Sequence, residues 1–75
     1  MTLNKLPVGT SATVLSISPS QAGFRRKLLS LGMTPGAKIT VKRLAPLGDP
    51  IEIEVRGFSL SLRKSEAETI QVETI

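Results

Sequence analysis

The groups with which this 75-residue chain could do chemistry are ten Lys and Arg, six Asp and Glu, and eight Ser, with no His and no Cys. Without imidazole, the commonest general base near neutral pH is missing. Without thiols there is no thiolate nucleophile, no iron–sulfur ligation and no thiolate zinc site. The carboxylates are Asp49, Glu52, Glu54, Glu66, Glu68 and Glu73. They are hard ligands, suited to magnesium or calcium more than to tight transition-metal binding, and none has the spacing of a calcium loop. No serine lies in a nucleophile elbow and none has a His to activate it, which leaves a Ser paired with Lys as the one minor catalytic alternative. The composition therefore predicts a protein that is not an enzyme and has no cofactor and no resident metal.

The basic residues are distributed unevenly. Residues 1–50 hold seven bases and one acid, a net of +6, whereas residues 51–75 hold three bases and five acids, a net of −2. Arg25-Arg26-Lys27 is the densest cluster, followed by Lys42 and Arg43. Three roles fit it: a solvated helix face, a contact surface for an acidic protein or lipid headgroups, and a phosphate-binding surface for nucleic acid. Single-strand binding normally adds stacking aromatics. Phe24 and Phe58 are the only two aromatics, and both fall in apolar stripes that a core needs, so no nucleic-acid partner is expected. Lys42 and the Glu52/Glu54 pair are placed to face each other across a hairpin.

These groups must be held by short elements. Ser11–Ile17 reads as a first strand, rich in β-branched residues. Ser18 followed by Gln21 is a capping-box pattern with Pro19 at the first helical position, predicting a helix from about Pro19 to Leu31. Phe24, Leu28 and Leu31 share one helix face, which is assigned to the core, and Gly32 suits the left-handed residue that ends a helix. Thr34-Pro35-Gly36 is a turn. Lys38–Leu44 is the second strand, and Lys42-Arg43 break its alternation as a bulge would. A six-residue connection, Ala45–Pro50, leads to Ile51–Val55, which alternates apolar and acidic residues. Arg56-Gly57 is short enough for a tight hairpin turn into Phe58–Leu62. Ser65–Glu68 offers one helical turn, expected to be 3₁₀, before a last strand at Thr69–Glu73.

A chain this short buries only about 60–65% of its unfolded surface, so its core is thin, and no disulfide staples it. Five short strands have edges to hide, and a small closed or half-closed barrel, with the helix against one opening or edge, is the arrangement the pattern predicts. Residues 1–75 are read as one domain. Met1–Pro7 has no apolar stretch of signal-peptide type, and no segment is long and apolar enough to span a membrane, so cytosol is the default location. Leu29, Met33 and Leu47 are candidates for exposed apolar contacts. Leu47 lies in a connection, where it needs either a fold-back onto the sheet or a partner.

The combined segments resemble the ferrous iron transport protein A (FeoA) family over the whole chain, close to the form found in enteric bacteria. The residues that carry the resemblance are Leu6-Pro7-Val8-Gly9, Phe24–Leu31, Gly32–Ala37, Ala45–Pro50, Val55-Arg56-Gly57, Leu60–Arg63 and Glu66-Ala67. The resemblance implies a mostly β, SH3-like five-stranded barrel with a helix inserted after the first strand and a short helical turn before the last. It also implies a cytosolic accessory to the membrane ferrous iron transporter, ferrous iron transport protein B, whose cytosolic region carries a GTP-binding domain. Action is then by protein contact, at the inner face of the membrane through that partner. Arg25, Arg26, Leu29, Met33, Leu47 and Arg56 are the contact candidates. Two alternatives stand beside this reading. One is regulation of the transporter's GTPase, with Arg25, Arg26 or Arg56 reaching a phosphate. The other is a basic nucleic-acid-binding barrel. Self-association into a homo-oligomer is also open.

Overall fold

Strand alternation builds the fold from the middle outwards. In a computed structural model, which describes residues 1–18 and 22–75, five antiparallel strands form one sheet. They are β1 (Ser11–Ile17), β2 (Lys38–Leu44), β3 (Ile51–Val55), β4 (Phe58–Leu62) and β5 (Ile70–Thr74). The order across the sheet is β4-β3-β2-β1-β5. A helix, α1 (Ala22–Ser30), follows β1, and one helical turn, α2 (Lys64–Ala67), precedes β5. A 3₁₀ turn at Leu3–Lys5 opens the chain.

The period of two sends Ala12, Val14, Ile39, Val41, Ile53 and Val72 to one face, where all are buried. Ser11, Thr13, Lys38, Thr40 and Glu54 take the other face, half-buried or exposed. Full burial of a Val, Leu or Ile side chain contributes about 1.5–3 kcal/mol. This buried row joins Leu3, Leu28, Met33, Val55, Leu62 and Ile70 in one buried apolar cluster, which a chain without disulfides relies on.

The β2–β3 register shifts between Val41 and Arg43, so the bulge expected at Lys42 is present. It brings Lys42 Nζ to 3.5 Å from Glu54 Oε2, the cross-hairpin pair expected from the sequence. A second register shift, between Val14 and Ser16, leaves Leu15 exposed on β1.

The expected SH3-like barrel is not formed. Its closure needs β4 and β5 to pair, and they are opposite edges of an open sheet. The edges are handled differently. Beyond β5 lies the chain's own start: Thr2 forms an isolated bridge with Gln71, and the Val72 N–H donates to the Met1 carbonyl at 2.8 Å. This segment also sends Leu3 and Leu6 into the core. Between β4 and β5 the chain makes α2, whose Ala67 is buried. No strand pairs with the outer side of β4 among the described residues.

The helical turns differ in detail from expectation. α2 is α-helical, with i→i−4 bonds from Ala67 N to Arg63 O and from Glu68 N to Lys64 O, and it starts at Lys64 rather than Ser65. Glu66 is the reason: its Oε1 accepts from the Arg63 N–H at 2.8 Å and so fixes the first turn. For α1, the expected capping box pairs Ser18 with Gln21, and Gln21, like the expected first helical residue Pro19, lies outside the described residues. The C-terminal end is as read. Gly32 has φ +100°, the Gly32 N–H donates to Leu29 O at 3.2 Å, and the Met33 N–H donates to Leu28 O at 3.0 Å. That pair of bonds is a Schellman motif.

Candidate functional site

The turn between β3 and β4 holds Arg56, a surface side chain tied to the end of α1. Arg56 has φ 49° and Gly57 φ 84°, so both central residues are left-handed, as a type I′ hairpin requires. Gly57 accepts this readily, whereas for Arg56 the left-handed region costs roughly 1–2 kcal/mol. The side chain offsets that cost. Arg56 Nε donates to the Gly32 carbonyl at 3.0 Å, and Nη2 makes a longer contact with Thr34 Oγ1 at 3.4 Å. A guanidinium at a helix C-terminus also meets the negative end of the helix dipole. The Arg56 stem lies so close to Gly32 that a Cβ there would sit 2.5 Å from Cδ. Gly32 is thus required by its φ, and a side chain there would also push the Arg56 end away from its bond to the Gly32 carbonyl.

Beside this clasp is an open cleft of about 420 Å³, lined by Gly36, Ala37, Lys38, Thr40, Glu54, Arg56 and Gly57. Lys38 and Arg56 supply positive charge. Glu54 is engaged by Lys42, and Thr40 Oγ1 pairs with Ser11 Oγ at 2.8 Å. Among the described residues no three or more His, Cys, Asp or Glu gather where they could hold a metal. What the cleft offers is positive charge from Lys38 and Arg56 and hydrogen-bonding groups from Thr40 and Glu54.

The six contact candidates do not form one patch. Arg25 and Arg26 are exposed on α1 beside Lys27. Leu29 is half-buried and packs on the core, as does Phe24. Met33 is not a surface residue: it is fully buried, because the Schellman motif turns the residue after the glycine back onto Leu28, itself 1% exposed. Leu47 does not fold back onto the sheet; it is 94% exposed. Arg56 is exposed and tied to the end of α1. Leu47 lies in the connection before β3 and Arg56 in the turn after it, so the strand separates them. Lys38, Thr40 and Glu54 were missed as site residues, although the period of two in β2 and β3 already places them together on the polar face.

The connection carrying Leu47 is anchored from below. Asp49 Oδ1 accepts from the Lys64 N–H at 3.1 Å, tying the loop to the start of α2. An exposed leucine on an anchored loop is presented at little entropic cost to a partner.

The FeoA domain family model matches residues 1–74. Over 75 residues the chain is 35% identical to an Fe(2+) transport protein A/Fe(2+) transporter FeoB fusion protein of Porphyromonas gingivalis, and it spans all of itself but only 9% of that protein. The solution structure of the FeoA protein from Chlorobium tepidum is 45% identical with TM-score 0.91, covering 100% of this chain and 70% of that one. The crystal structure of Stenotrophomonas maltophilia FeoA complexed with zinc is 33% identical with TM-score 0.87, covering 97% of this chain and 89% of that one.

Proposed function

The chain belongs to the FeoA family, and from that premise we propose that it is a small, non-catalytic accessory protein for ferrous iron uptake. It acts by direct contact with the cytosolic, GTP-binding region of the membrane ferrous iron transporter FeoB. The observation that carries this reading is the P. gingivalis fusion, in which a segment similar to this whole chain is joined to the transporter in one polypeptide. Joining two modules makes their meeting intramolecular and raises its effective concentration to about millimolar. Such a linkage favours parts that work in contact.

Among the described residues no helix is long and apolar enough to cross a membrane. The proposed location is cytoplasmic, at the inner membrane face through the partner, with residues 1–75 acting as one domain. On its sequence motifs we further assign the chain to the enteric-bacterial form of the family. The zinc of the S. maltophilia structure is not carried over, since the residue types here are not those of a tight zinc site. Of the contact candidates, Arg25, Arg26, Leu29, Leu47 and Arg56 remain available at the surface, and Met33 supports them from the core. Arg56 already spends its Nε on Gly32, which favours a positioning role over that of an arginine finger.

The test is a pull-down between this protein and the transporter's cytosolic region, combined with ferrous uptake in cells lacking the gene. Contact together with reduced uptake is expected. Normal uptake and no contact would end the proposal. GTP turnover by the isolated GTP-binding domain, with and without the protein, separates a scaffold from a regulator.

A further inference from the structure

The outer edge of β4 differs from the other edge of the sheet. β5 is flanked by the chain's own first residues, through the Thr2–Gln71 bridge and the Val72-to-Met1 bond. β4 has no strand beyond it among the described residues, and it pairs with β3 without a bulge from Val55–Phe58 to Ile51–Leu62. Its sequence, Phe-Ser-Leu-Ser-Leu, has no proline, no lysine and no inward charge, the usual means by which an edge is protected.

Exposure along β4 is graded. On β3 the inward residues Ile51, Ile53 and Val55 are at most 2% exposed. Their partners on β4 run from sealed Leu62 through half-buried Leu60 to Phe58, which is 38% exposed. The core face is thus uncovered towards the hairpin end of β4.

The backbone direction is set by the two-residue turn. Val55 and Phe58 close it as a hydrogen-bonded pair, so Phe58, Leu60 and Leu62 direct their amides to β3. Ser59 and Ser61 then direct theirs to the open side. Charge selects the occupant. Arg56 lies at one end of β4 and Arg63 and Lys64 at the other, all exposed. A second copy pairing antiparallel about Leu60 would bring the Arg56 end of each β4 towards the basic Arg63/Lys64 end of the other, which is repulsive.

We propose that β4 is a strand-addition site for an extended protein segment with alternating apolar side chains and acidic residues at both ends. The segment hydrogen-bonds to Ser59 and Ser61, covers Phe58 and Leu60, and places its carboxylates beside Arg56 and Arg63/Lys64. This goes beyond the functional reading above and does not depend on which protein supplies the segment.

The experiment titrates the full-length protein with short capped peptides of alternating valine and threonine, followed by amide NMR shifts and hydrogen exchange. A peptide with glutamate at each end is expected to bind and to slow exchange of the Ser59 and Ser61 amides about tenfold. A peptide with lysine ends should bind about tenfold more weakly, and backbone N-methylation of the glutamate-ended peptide should abolish binding. Ser59→Pro removes one edge donor while leaving the β3 ladder intact, and should abolish binding with the fold retained. The N-methylated peptide tests the same bond without altering the protein. Absence of binding, equal binding of the lysine-ended or N-methylated peptide, or binding that survives in a folded Ser59→Pro variant would overturn the proposal. So would sedimentation showing a dimer that Ser59→Pro dissolves, since the occupant would then be a second copy.

Discussion

Arg56 clasps Gly32 across the molecule: its Nε donates to the Gly32 carbonyl at 3.0 Å, and its stem occupies the space that a side chain at position 32 would need. One residue sits in a hairpin turn at φ 49° and the other ends a helix at φ +100°. Each adopts a left-handed conformation, and the bond between them fixes the end of α1 to the tip of the β3–β4 hairpin.

Gly32→Ala should therefore destabilise the protein on two counts, the left-handed backbone and the collision with Arg56. The expected loss is about 2 kcal/mol, read as a fall of roughly 10 °C in thermal midpoint for a domain of this size. The two causes separate in a double-mutant cycle. In an Arg56→Ala background the collision is gone, so Gly32→Ala should cost only about 1 kcal/mol. Equal costs in both backgrounds would show that the arginine is not held against the glycine.

Lys42 and Glu54 test the opposite expectation. Their ammonium and carboxylate lie 3.5 Å apart, with the side chains 45% and 46% exposed. Water screens such a pair, and Glu54→Gln should change unfolding stability by no more than about 0.5 kcal/mol. Because Glu54 also lines the cleft beside Lys38 and Arg56, its neutralisation should alter partner binding more than stability. Urea unfolding and the transporter pull-down, run side by side, measure the two effects.

Leu3 lies near the start of the chain and is fully buried. Leu3→Ala should cost about 2–4 kcal/mol in urea unfolding, as for a core leucine. A loss below about 0.5 kcal/mol would place the opening segment outside the folded unit.

That role of Leu3 was not legible in the sequence, for a physical reason. A single 3₁₀ turn at Leu3–Lys5 is too short to show a period, and its burial depends on β5, which lies at the other end of the chain. Local signals fared better. The alternation of Ile51–Val55, the break at Lys42-Arg43 and the glycine at the end of α1 each act within a few residues, and each appears where it was read. Closure of the sheet depends on β4 meeting β5, a non-local event that strand patterns do not encode, and there the barrel expectation failed. The Arg56–Gly32 clasp likewise joins residues 24 positions apart. Met33 is an intermediate case: it is a candidate for an exposed apolar contact on sequence, yet a residue directly after a helix-ending glycine commonly packs back on the last turn.

Met33 and Leu47 were both candidates for apolar contact, and the structure separates them. Met33 is 0% exposed and Leu47 94%. Met33→Ala should lower stability by about 2–5 kcal/mol through a cavity beside Leu28, and any loss of binding should follow the loss of folded protein. Leu47→Ser removes no packing, so its stability should stay within about 0.5 kcal/mol of the parent. If the anchored connection meets the transporter, the same change should weaken binding by about tenfold or more, as removal of an apolar anchor does. The measurement is the affinity of each folded variant for the transporter's cytosolic region, corrected for the folded fraction from thermal unfolding. An unchanged affinity for Leu47→Ser would move the contact away from this connection, leaving Arg25, Arg26, Leu29 and Arg56 to carry it.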